Sequence, residues 1–199
     1  MANLITLLRT LLGLLVAYLL FLPDVQIYWW AFALTILAIF MDGLDGYVAR
    51  KFNEASKAGA VIDIIGDRIV EQVYWIVFLA LGWVPLWIAL TVVIRGVLVD
   101  GLRSIALEKG FTAFGSSSMM QSPIGVLLVS SRFSRWSYAV FKGFAFSLMI
   151  WANMPGDGVW GQQTVTVAAT LCMYATVFFC VVRGLPVILE ARRFLKAEA

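Results

Sequence analysis

Asp42 and Asp45 stand three residues apart, and Asp63 and Asp67 stand four apart. On an α-helix either spacing puts both carboxylates on one face. The chain has no histidine, and its two cysteines, Cys172 and Cys180, lie far along the sequence from these acids. Histidine-dependent catalysis and histidine metal ligands are therefore excluded. A site gathered from the acids offers oxygen alone, which selects a hard cation such as Mg²⁺, Mn²⁺ or Ca²⁺. Four carboxylates are more than one Mg²⁺ ordinarily takes from protein, so the expectation is a pair of ions. Such a pair suits in-line displacement at phosphorus.

The surrounding residues fit that chemistry. Gly43, Gly46, Ala49, Gly59, Ala60 and Gly66 are small and lie among the acids. Small residues let a ligand or a second backbone approach closely, although each alone is as readily a helix-packing residue. Arg50 follows on the same stretch, and its planar fork suits a phosphate. A single intramembrane aspartate can be a structural hydrogen-bonding residue; four at two helical spacings call for another explanation. A divalent-cation transporter is the competing reading from a different class. It would place its acids near the membrane midplane on broken helices, whereas these acids fall toward one end of their segments.

The elements that must carry the acids follow from composition. Of 199 residues, 62% are hydrophobic and 14% charged. Soluble domains are near half apolar and a quarter charged, so an ordinary cytosolic domain and a disordered chain are both excluded. A net charge of +3 without a basic cluster argues against nucleic-acid binding. Six stretches approach the roughly 20 apolar residues that a transmembrane helix needs. They are Leu4–Leu22, Tyr28–Val48, Ala60–Trp83, Leu86–Leu107, Trp136–Met154 and Thr164–Val182. The five prolines, Pro23, Pro85, Pro123, Pro155 and Pro186, are expected in links or just beyond spans. Residues 1–22 lack a basic start and a cleavage site, and so read as a retained helix. The links near 23–27, 83–86 and 155–162 carry no lysine or arginine, while Arg9, Arg50, Lys51, Lys57, Arg103, Lys109, Arg132, Arg183, Arg192 and Lys196 lie in or near the opposite links and termini. By the positive-inside rule that opposite side is the cytoplasm. The expected architecture is all-α: one domain, 1–199, an integral membrane bundle of six transmembrane helices with both termini cytoplasmic. The acids then lie at the cytoplasmic ends of spans two and three, on an antiparallel hairpin.

The stretch Asp42-Gly-Leu-Asp45-Gly46-Tyr-Val-Ala49-Arg50, followed after eight residues by Gly59, Asp63 and Asp67, resembles the signature of the CDP-alcohol phosphotransferase family. The match covers 26 residues and all eight of the signature's fixed positions. The resemblance implies a six-helix membrane domain in the cell membrane, usually a homodimer, with the site open to the cytoplasm. It implies transfer of a phosphatidyl group from a CDP-linked lipid, here CDP-diacylglycerol, to a polar alcohol with release of CMP. Carried over by position, Asp42, Asp45 and Asp63 hold the Mg²⁺ or Mn²⁺ ions. Asp67 completes the metal site and takes the alcohol proton. Gly46, Arg50 and Ser56 match positions that contact the CDP moiety, and Ala49 and Gly59 give the nucleotide room. The opening Asn3-Leu-Ile-Thr6-Leu-Leu-Arg9 is similar to the family's usual beginning, whose residues line the nucleotide side; Asn3 and Thr6 can equally cap an amphipathic helix.

The acceptor is read from cations. A phosphorylated alcohol needs its own cationic pocket. Arg95 lies inside span four, with Arg103 eight residues on; Lys142 lies early in span five, and Arg135 at the adjoining edge. These four are the candidate acceptor-phosphate residues, against the alternative of snorkelling anchors. The segment from Ile94 through Arg95, Gly101, Leu102 and Arg103 is similar to the corresponding segment of the phosphatidylglycerophosphate synthase branch. Gly66-Asp67-Arg68 is more like the inositol-phosphate branch. Glycerol 3-phosphate is the preferred acceptor; inositol phosphate and serine stay open. Trp29, Trp30, Trp83, Trp87, Trp151 and Trp160 are expected at the external interface as an aromatic belt, and the terminal Arg192, Arg193 and Lys196 on anionic headgroups. Cys172 and Cys180 are expected to be packing residues. Glu71, one turn past Asp67, has Arg68 and Arg95 as alternative partners.

Overall fold

The computed structural model describes residues 2–51, 57–108, 120, 122–156 and 161–195, with no strand among them. The helices are α1 (Ala2–Leu19), α2 (Val25–Lys51), α3 (Lys57–Ala80), α4 (Leu86–Glu108), the single turn α5 (Pro123–Gly125), α6 (Arg132–Ala152) and α7 (Gln162–Leu195), with a π-helical segment, Val126–Ser130, between α5 and α6. Each of the six expected apolar stretches falls on one of the long helices. By length and composition Val25–Leu44 and Gln162–Ala191 are long and apolar enough to cross a membrane, and α1 has a shorter apolar stretch, Asn3–Leu19. The apolar runs of α3 and α4 are broken by charged side chains, among them Asp63, Asp67, Arg68, Glu71, Arg95, Asp100 and Arg103.

Local chemistry sets the helix ends. Asp24 begins α2: its Oδ1 accepts from the backbone N–H of Gln26 at 2.7 Å and of Ile27 at 3.1 Å, satisfying amides that have no intrahelical partner. The Tyr28 hydroxyl reaches back to donate to the Leu20 carbonyl at 2.9 Å. Past α3 the chain turns through Gly82 at φ +75°, a conformation that disfavours any side chain. Two features depart from the sequence expectation. Pro186 lies inside α7, which runs on to Leu195 instead of stopping at the proline. A proline forfeits one intrahelical bond, which neighbouring groups in a membrane helix can make good. The chain 123–130 is also helical, begun by Ser122, whose Oγ accepts from the Gly125 N–H at 3.0 Å, with Pro123 in the first turn. These start signals precede an apolar run too short to register as a span.

The chain divides into two compact units. The first comprises residues 1–89 and 143–171. Its core is aromatic. The Tyr74 ring stacks on Phe146 at 4.7 Å, and Trp75 and Phe78 meet Phe146 edge-on at 5.6 and 5.9 Å. Thr35 Oγ1 lies 2.8 Å from the Ala31 carbonyl and 2.9 Å from the Tyr74 hydroxyl. Because the threonine spends its single proton on the carbonyl, the tyrosine is the donor between the two hydroxyls. Helix α1 lies close on α3: a Cβ on Gly13 would stand 3.0 Å from Val70 Cγ2, and one on Gly66 would stand 2.8 Å from Thr10 Oγ1. The outward face of α1 is apolar, with Leu4, Leu7, Leu8, Leu11, Leu15 and Tyr18 exposed. Of the tryptophans, Trp29 and Trp151 pack on each other at 5.7 Å, while Trp30 and Trp87 are exposed.

The second unit comprises residues 90–142 and 172–199. Its core gathers Val99, Ala106, Met120, Val129, Val187 and Ala191, with Leu102 and Ile105 beside them. Polar ties hold its turns. The Ser122 hydroxyl donates to buried Glu190 of α7. Ser134 Oγ donates to the Leu128 carbonyl at 2.6 Å, closing the π-helical segment onto α6. Cys180 is buried and Cys172 half-buried, both unbridged.

Candidate active site

The acids meet on an arginine. Asp42 projects from the later part of α2, Asp63 and Asp67 from consecutive turns of α3, and Arg9 reaches them from α1. The Arg9 Nη1 pairs with Asp42 Oδ1 and lies 3.2 Å from Asp67 Oδ1, while Nη2 donates to Asp63 Oδ1 at 3.2 Å. Three carboxylates separated by up to 25 residues in sequence thus share one guanidinium. The Arg9 side chain is only 3% exposed, whereas those of Asp42, Asp63 and Asp67 are 43%, 48% and 45% exposed. Each carboxylate therefore faces the buried cation on one side and open space on the other. Among the described side chains, then, three carboxylates stand against one guanidinium.

Gly66 is the structural reason Arg9 can stand there. The position where its Cβ would be lies 2.8 Å from Thr10 Oγ1, 3.2 Å from Thr6 Cγ2 and 3.7 Å from Arg9 Nη2. A side chain would push α1, and with it the guanidinium, off α3. Thr6 is buried in this seam, its carbonyl accepting from Thr10 Oγ1 at 2.8 Å. One turn past Asp67, Glu71 is 2% exposed and receives Arg68 Nη1 at 2.7 Å. Of the two partners the sequence left open, Arg68 is one that it takes.

Asn3 is exposed on the first turn of α1, and Gly59 lies in the first turn of α3, partly covered. Asp45, Gly46, Ala49 and Arg50 belong to the last turns of α2, but their side-chain surroundings lie outside what the structure describes; Ser56 lies outside the described residues altogether. Among the described residues no three Asp, Glu or Cys side chains form a ready metal-binding group. The donor set nevertheless fits a hard divalent ion: carboxylate oxygens only, in an arrangement already gathered about one cation.

The expected acceptor residues belong to the second unit. Arg95 of α4 is 8% exposed and lies against Gly184 of α7, where a Cβ would stand 2.9 Å from its Cγ and 3.0 Å from its Nε. The next residue back from Gly184, Arg183, is also 8% exposed. It donates from Nη1 to the Ser134 carbonyl at 2.6 Å and lies over the Tyr138 ring at 5.4 Å. Lys142 Nζ lies over that same ring at 5.8 Å. The ring quadrupole attracts both cations. Arg103 instead has Asp100 at 3.9 Å, one helical turn away, and Arg135 is exposed on α6. The structure thus adds Arg183, which the sequence placed only among the charges of a link, and sets it with Lys142 and next to the glycine that seats Arg95.

A family model for CDP-alcohol phosphatidyltransferase matches residues 1–191. The chain belongs to that family. A Pseudomonas fluorescens protein named CDP-diacylglycerol–glycerol-3-phosphate 3-phosphatidyltransferase is 30% identical over 160 residues, covering 74% of this chain and 80% of its own. A Bacillus subtilis protein of the same name is 25% identical over 151 residues, covering 76% and 67%. A Mycobacterium tuberculosis protein with the provisional name of cardiolipin synthase is 28% identical over 165 residues, covering 79% and 73%. Membership of the family decides between transferase and cation transporter in favour of the transferase. The first two relatives are named for transfer from CDP-diacylglycerol to glycerol 3-phosphate, the third for cardiolipin synthesis.

Proposed function

We propose that this chain is a membrane phospholipid synthase that transfers a phosphatidyl group from CDP-diacylglycerol to glycerol 3-phosphate, giving phosphatidylglycerophosphate and CMP. The observation that carries the reading is the convergence of Asp42, Asp63 and Asp67 on a single cation in a chain of this family. Asp42, Asp45, Asp63 and Asp67 would hold two Mg²⁺ or Mn²⁺ ions. When bound, the ions neutralise the diphosphate and the departing CMP. Asp67 accepts the proton of the acceptor hydroxyl as its oxygen bonds to the lipid-side phosphorus; the bond from that phosphorus to the bridging oxygen breaks, and CMP leaves with the electron pair. Asn3, Thr6, Gly46, Ala49, Arg50, Ser56 and Gly59 are proposed for the CDP side.

Arg95, Arg103, Lys142 and Arg135 are proposed for the acceptor phosphate, with Arg183 added by its place beside Lys142 over Tyr138. Glycerol 3-phosphate is favoured by the names of the Pseudomonas and Bacillus relatives and by the buried cations Arg95 and Arg183, which a free alcohol such as serine does not need. We also propose that residues 1–199 act as one domain of six transmembrane helices in the cell membrane, a homodimer with termini and site on the cytoplasmic side. The charge distribution and the exposed apolar residues support the membrane topology; the homodimer rests on the resemblance to the family. The test is an acceptor screen with purified protein, CDP-diacylglycerol and Mn²⁺, scored by CMP release. Release is expected with glycerol 3-phosphate. Release with inositol phosphate, serine or a lipid alcohol alone would overturn the acceptor; release with no acceptor at all would overturn the reaction.

A further inference from the structure

We infer that Arg9 is a built-in counter-cation that competes with divalent ions for the aspartate cluster. This rests on the reading of Asp42, Asp63 and Asp67 as metal ligands. Without a positive charge, three carboxylates this close would repel one another and drive α2 and α3 apart at their site ends. Arg9 supplies that charge from the buried side, contacting all three carboxylates with its two terminal nitrogens. Gly66 and the α1–α3 seam keep it in place. The exposed halves of the same carboxylates leave the opposite side open to an incoming ion.

An ion that arrives must weaken those contacts or bind within repulsive reach of the guanidinium. Arg9 therefore keeps the empty site assembled at the expense of ion affinity. A monovalent cation gains too little from the shared acids to compete with the fork, so the arrangement also selects for higher charge. Removing Arg9 should have two effects of opposite sign: the ion-free protein loses stability, and divalent ions bind more tightly. A residue that merely organised the ligands for the ion would lower both.

The test compares full-length wild type with Arg9→Gln and Arg9→Lys, purified in detergent and stripped of metal, measuring Mn²⁺ affinity by paramagnetic resonance and the unfolding midpoint with and without Mn²⁺. Charge-assisted hydrogen bonds of this kind set the expected gain in Mn²⁺ affinity for Arg9→Gln at about 10- to 100-fold. The ion-free midpoint should fall and its rise on adding Mn²⁺ should be larger than in wild type. Equal or weaker Mn²⁺ binding by folded Arg9→Gln overturns this inference and leaves the metal site standing. Failure of Mn²⁺ to bind wild type or either variant overturns the metal reading and this inference together. Arg9→Lys keeps one charge but loses the fork, and decides the matter if Arg9→Gln does not fold: tighter binding than wild type supports the competition, unchanged or weaker binding overturns it.

Discussion

Replacing Gly66 by alanine tests whether the close approach of α1 to α3 assembles the site. The new methyl would begin 2.8 Å from Thr10 Oγ1 and 3.2 Å from Thr6 Cγ2, both inside ordinary contact distance. The first is the end of a side chain already bonded to the Thr6 carbonyl, so relief comes from a shift of α1 or from the loss of that bond. Forcing a methylene-sized group into a packed seam costs about 1–3 kcal/mol. Alanine in place of glycine within a helix returns up to about 1 kcal/mol. The variant should thus be neutral to about 3 kcal/mol less stable. Gly101→Ala gains the same helical preference without the clash, since nothing lies within 4 Å of its Cβ position, and should be neutral or more stable. Thermal unfolding in detergent ranks the two, and CMP release reports on the site. Gly66→Ala should lose activity because Arg9 Nη2, 3.7 Å from the new atom, moves with α1. Adding Thr10→Ala removes the nearer obstacle and should restore part of both losses. A Gly66→Ala protein as stable and active as Gly101→Ala would show that the α1–α3 seam does not assemble the site, as would a double variant no better than Gly66→Ala.

Asp67→Asn should cut CMP release by at least about 100-fold, the usual scale of general-base catalysis, while Mn²⁺ binding largely persists; stripping divalent ions from wild type should abolish release, and adding Mn²⁺ should restore it. Gly184→Ala should raise KM for the acceptor with a smaller change in kcat, because its Cβ would stand 2.9 Å from Arg95 Cγ and displace that side chain; unchanged kinetics would remove Arg95 from the acceptor pocket. Tyr74→Phe deletes the donor to Thr35 and should lower stability by about 1 kcal/mol with activity per folded molecule unchanged. A loss of activity there would show that the aromatic core does more than pack.

Much of the site was legible because helical periodicity is local. The spacings within the pairs Asp42/Asp45 and Asp63/Asp67 set their shared faces, and the gapped signature through Arg50 and Gly59 announced the family. The cation that the acids share in the structure was not legible: Arg9 is 33 residues before Asp42 and on another helix. Arg183 was missed for a related reason, since it looked like a link charge at the end of a span. It is buried against α6, where it meets the Ser134 carbonyl and the Tyr138 ring, a contact between helices that no local pattern announces. Arg103 shows the converse. It shares α4 with Arg95, as its spacing required, yet has Asp100 as a neighbour one turn away.

From the order of residues alone came the all-helical class and the reaction family, because composition and short-range spacing constrain both of them directly. Tertiary structure alone decided that one guanidinium would bind three aspartates, that Gly66 would admit it, and that Lys142 and Arg183 would share a ring. Periodicity says which residues lie together on a helix; which helix comes to rest across from them depends on packing between distant segments, which no local pattern encodes.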